Sequence, residues 1–130
     1  MDLYKEIVTH FINIQRQIEE LERKGLTFMF LDYSDFFIEN GDMIIKSNTY
    51  EIGDYIYSVP HISEKLSLPP EFKMELPIKV SKKFCYYLIG SMFKKLSLSP
   101  KLGDISHTPL YWAIERCLEP NPEKRFLILI

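Results

Sequence analysis

Apolar residues recur at Leu3, Ile7, Phe11, Ile14, Ile18 and Leu21, in steps of three and four. That spacing predicts one face of a helix about six turns long. Gln15, Gln17, Glu19, Glu20, Glu22, Arg23 and Lys24 fill the other face. Asp2 can cap the start, and Lys24-Gly25 supply a basic last turn and a glycine stop. Three-four spacing also suits a coiled-coil seam, but three heptads are few for one, so a core-facing helix is expected. Phe36-Phe37-Ile38 and Met43-Ile44-Ile45 then flank Glu39-Asn40-Gly41-Asp42, a strong hairpin signal.

Residues 46–80, with Gly53, Pro60, Pro69, Pro70 and Pro77, predict a loop that Tyr50, Tyr55, Tyr57 and Val59 tack to the core. A loop so long in a compact domain has a job or hides short elements. A second helix is predicted from Lys79 to Leu96. Phe84, Leu88, Met92 or Phe93, and Leu96 form its buried side, and Tyr86, Tyr87 and Ile89 widen it. Residues 98–107 read as loop. Thr108 caps a last helix with Pro109 at its first position, and Leu110, Ala113, Ile114, Cys117 and Leu118 follow at helical spacing until Pro120. Asn121-Pro122-Glu123 repeats the cap-proline-acid start for a short turn closed by Arg125.

The chain has 130 residues, which sets the expectation of one domain over 1–130. Its net charge of −2 gives no bulk attraction to nucleic acid, which is not expected as a partner. Cys85 and Cys117 are too few for a zinc site or a disulfide framework, and reduced buried thiols fit an intracellular, reducing setting. No secretory leader and no apolar run of membrane length is read.

Glu115-Arg116-Cys117-Leu118-Glu119-Pro120-Asn121-Pro122-Glu123-Lys124-Arg125 resembles the end of a protein-kinase C-terminal lobe. In that family an arginine after such a run pairs with the glutamate of an Ala-Pro-Glu motif. Pro69-Pro70-Glu71 stands upstream, so the resemblance implies a structural ion pair between Glu71 and Arg125. Tyr86-Tyr87-Leu88-Ile89-Gly90 is similar to the glycine-bearing run of the family's central helix. The resemblance covers nearly the whole chain, and its Leu-Tyr-Trp and Arg-Cys-Leu-Glu wording is similar to kinase-like proteins of large DNA viruses. It implies a mainly α fold: a kinase C-lobe-like helical domain with a small β-hairpin.

The catalytic positions depart from the family. Aligned on the hairpin, the His-Arg-Asp positions hold Phe28, Met29 and Phe30, and Asp35 falls on the metal-binding asparagine. The Asp-Phe-Gly positions hold Ser47, Asn48 and Thr49, and Cys85 replaces the aspartate of the central helix. Hydrophobic side chains cannot accept a hydroxyl proton. No glycine-rich phosphate loop and no lysine–glutamate clamp is read, so a stand-alone, non-catalytic lobe without cofactor or metal is expected.

Other chemistry is weakly signalled. Asp32, Asp35, Glu39 and Asp42 cluster in sequence, but acids beside a turn are ordinary solvated residues. His10, His61 and His107 lack ligand spacing and read as surface or capping residues. Charge is uneven. Asp32 to Asp54 carries six acids and one base, whereas Lys79 to Lys101 carries six lysines and no acid. Lys79, Lys82, Lys83, Lys94 and Lys95 form a candidate contact patch, for which a solvated helix face is the plainer reading. The two charged stretches could also meet each other across copies. The expected role is a pseudokinase-like binding or structural module whose partners are other proteins. These are capsid or assembly proteins, in host cytoplasm or virion, if the viral resemblance holds. An enzyme that the chain docks on and regulates is the alternative.

Overall fold

The computed structural model describes residues 2–59, 68–72 and 75–128. His61 lies outside the described residues. Helix α1 spans Leu3–Arg23 and starts as its sequence dictates, with the Asp2 carboxylate accepting from the Tyr4 N–H at 2.9 Å. Ile7, Phe11, Ile14 and Ile18 are buried, while Leu3 and Leu21 at the ends of the stripe are only partly so. His10 is buried as well, against expectation. It stands between Ile7 and Phe11 on the inward face, so helical geometry carries it into the core whatever its polarity.

Strands β2 (Phe36–Glu39) and β3 (Asp42–Ile45) form the predicted hairpin, with Glu39 opposite Asp42. Asn40 and Gly41 both take positive φ, 53° and 84°, the geometry that suits a two-residue loop to strand twist. A one-turn 3₁₀ helix, Tyr33–Asp35, precedes β2, and the strand β1 (Leu26–Thr27) precedes that.

The expected mainly α fold class is incorrect. The described chain is mixed α+β, with three helices and three small two-stranded antiparallel sheets. The expected loop contains β4 (Tyr50–Glu51), β5 (Tyr55–Ile56) and β6 (Ile78–Lys79). β4 pairs with β1, and β5 with β6. Two-residue strands are too short to show period-two alternation, and their partners lie more than twenty residues away, so no local pattern marks them. Tyr50 and Val59 pack on the core as expected, but Tyr55 and Tyr57 are exposed.

Helix α2, Lys82–Ser97, begins at Ser81, whose hydroxyl accepts from the Lys83 N–H. Seven of its residues are buried, Phe84, Cys85, Tyr86, Leu88, Ile89, Gly90 and Phe93, so it is the central helix. Helix α3, Pro109–Cys117, is capped by Thr108, and a one-turn 3₁₀ helix follows at Pro122–Lys124. α2 and α3 meet at Gly90, where an added Cβ would stand 2.6 Å from the Cys117 Cβ. Gly90→Ala is therefore expected to destabilise by about 1–3 kcal/mol through overpacking, although alanine favours helices. Urea unfolding checks this, and an unchanged or raised midpoint would mean that the two helices separate freely.

Candidate functional site

Phe28, Met29 and Phe30 follow β1 and run through the interior; all three are buried. Phe28 borders a hollow against α1 with Leu21 and Ile45. Phe30 packs edge-on to Phe84 of α2, Phe72 and Tyr50, with ring centres 5.5, 6.3 and 6.4 Å away. This aromatic cluster ties the segment after β1 to β4, to α2 and to the segment that carries Phe72.

Asp35 is engaged locally. Its carboxylate accepts from the Asp32 N–H at 2.9 Å and completes a capping box on the 3₁₀ turn. Glu39 pairs with Lys46, and Asp42 accepts from Asn13 at 3.0 Å. The acidic run thus divides among a cap, a surface ion pair and a helix contact. Among the described residues, no three His, Cys, Asp or Glu side chains come together as a metal site. Ser47, Asn48 and Thr49 form the link between β3 and β4, with Asn48 and Thr49 exposed.

A dense polar assembly surrounds Arg125, whose side chain is 0% exposed. Its Nη1 and Nη2 fork onto the two Glu71 oxygens at 2.7 and 2.9 Å. Nη1 also donates to the Lys83 carbonyl at 3.0 Å, Nη2 to the Pro120 carbonyl at 3.3 Å, and Nε to the Glu119 carbonyl at 2.9 Å. Five hydrogen bonds use all the donors a guanidinium has. The Tyr87 ring lies 5.0 Å from its Cζ. Glu71 retains 35% exposure. Its partial burial works against the charged form, but the hydrogen bonds from Arg125 and its own backbone, and the Arg125 charge, outweigh that and hold its pKa below the ordinary value. A pocket of about 310 Å³ opens beside this pair, bordered by Phe72, Glu75, Ile78, Lys79 and Phe84.

The lysines do not make one patch. Lys82 lies 3.7 Å from Glu22, and Lys83 donates to the Arg125 carbonyl at 2.6 Å and sits 4.0 Å over the Phe126 ring. Burial, with the Lys82 and Arg125 charges, lowers the Lys83 pKa. Lys94 pairs with Glu115 at 3.9 Å, and Lys95 lies 4.0 Å over the Tyr33 ring. Those two groups stand about 18 Å apart along α2. Lys79 is exposed on β6. No sequence signal marks Lys83 as the tie between α2 and the segment after α3, because its partner is a backbone carbonyl. The Tyr86 hydroxyl, donating to Glu22 at 2.8 Å, is equally hidden.

The two thiols are free and buried. Burial pushes Cys85 up to about 12, against weaker opposing hydrogen bonds from Thr27 and Phe28, and it raises Cys117 too. Neither is poised as a thiolate nucleophile at neutral pH. No described helix is long and apolar enough to cross a membrane. No family model matches the chain, and no curated protein matches it.

Proposed function

We propose that this chain is a non-catalytic binding or structural module, a pseudokinase-like scaffold that acts through its surface on other proteins. The observation that carries the reading is the burial of Phe28, Met29 and Phe30. A phosphotransfer base must reach a substrate hydroxyl, and these positions carry apolar side chains in the core. The Glu71–Arg125 fork supports the likeness to a kinase C-terminal lobe at its most specific point. A particle component or assembly factor is the role that fits the resemblance to viral kinase-like proteins.

Incubation of the full chain with γ-labelled Mg-ATP and general protein acceptors is expected to give no transfer above the buffer control. Transfer that disappears in Asp35→Ala would overturn the reading. Purification from the native source separates the forms of the proposal. Fractionation with particles supports a structural component, and steady co-purification with one enzyme supports a regulatory subunit.

A further inference from the structure

β2 carries Phe36-Phe37-Ile38, an apolar run of the kind found in buried strands, yet Phe37 is 42% and Ile38 58% exposed. The hairpin is covered on one edge only. Gln17 of α1 accepts from the Ile45 N–H at 3.0 Å and donates to the Met43 carbonyl at 2.9 Å, which seals β3. Among the described residues no strand lies along the outer edge of β2. The rim is acidic: Asp35, Glu39 and Asp42 stand against Lys46 alone.

A groove of about 660 Å³ lies beside the base of this hairpin, lined by Tyr33, Met92, Lys95, Leu96, Leu98 and Ser99. Its floor is apolar, and Leu98 is 73% exposed. Its rim is basic. Lys95 covers Tyr33, and Lys101 follows two residues after Ser99. Among the described residues neither lysine has a carboxylate partner. Tyr33 belongs to both features, since it lines the groove and opens the turn that leads into β2.

We propose that the occupant of the groove is a second copy of this chain, whose hairpin places Ile38, the more exposed of the two and on the opposite face of β2 from Phe37, on Met92, Leu96 and Leu98 while its acidic rim meets Lys95 and Lys101. Charge complementarity chooses the occupant: the acidic apolar projection and the basic apolar recess belong to the same molecule. Because the two features adjoin, a two-fold axis lets each copy fill the other's groove and closes the assembly as a dimer. The inference rests on reading the chain as a binding module and supplies its partner.

The test is sedimentation equilibrium of the full chain over a concentration series at low and high salt, with circular dichroism to confirm that each variant is folded. A dimer that weakens with salt is expected. Ile38→Ser and Leu98→Ser alter exposed side chains, and each should weaken the dimer about tenfold or more. Glu39→Lys and Lys95→Glu should each weaken it, and the two together should restore it. A dimer that hairpin variants abolish and groove variants leave intact would overturn the proposal in favour of edge-to-edge pairing of β2. A chain that stays monomeric throughout would also overturn it, yet would leave the non-catalytic reading standing, because that reading is tested by phosphotransfer and nucleotide binding.

Discussion

Arg125→Met is expected to destabilise the protein by about 3–5 kcal/mol, the usual consequence of removing one partner from a buried charged network. Methionine approximates the volume of the stem but leaves the carbonyls of Lys83, Glu119 and Pro120 without their donor and the Glu71 carboxylate without its counter-charge. Glu71→Gln should cost less, on the order of 2 kcal/mol, because Glu71 is partly solvated and the three carbonyls still hold the guanidinium. The double variant should be less destabilised than the sum of the two singles, since both substitutions break the same pair of hydrogen bonds. Denaturant unfolding of the four proteins measures this. Additive effects would mean that the fork contributes nothing as a pair. Arg125→Lys should recover little, because an ammonium cannot reproduce the planar two-point contact.

Phe30→Asp should destabilise by at least about 3 kcal/mol, because it puts an unpaired charge in the interior and removes a ring that packs edge-on against three others. The carboxylate would face Phe84, Phe72 and Tyr50, none of which carries a compensating charge. Thermal melting checks this, with Phe30→Leu as the companion that keeps the site apolar and should lose less. If Phe30→Asp melts where the parent does, the segment after β1 is open to water and its assignment as core is wrong.

The helices were legible because their signals are local. Asp2 and Thr108 supply a side-chain oxygen where backbone N–H groups need one, and the apolar positions repeat at helical spacing, whereas the predicted start of α2, Lys79, passes over its cap, Ser81. Asn40-Gly41 announced the hairpin for the same reason, since both residues accept positive φ. The other four strands were not legible, because each consists of two residues paired with a distant segment. That gap is what turned an expected helical fold into a mixed one.

The site was legible in part. Glu71 and Arg125 are fifty-four positions apart and nothing near either one implies the other; the family resemblance alone joined them. The three carbonyls that complete the shell of Arg125 come from chain geometry and leave no trace in side-chain identity. The burial of His10 could have been read from its place between Ile7 and Phe11. The dispersal of the lysines over both ends of α2 could not, because it depends on Glu22, Glu115 and Tyr33 arriving from other segments.

The central proposal is that this chain acts as a non-catalytic module, and nucleotide binding tests it most directly. Calorimetric titration of the full chain with Mg-ATP is expected to show no saturable heat, and the melting temperature should not move with added nucleotide. A saturable isotherm accompanied by a rise in melting temperature would contradict the account, because a ligand that binds the native state must stabilise it.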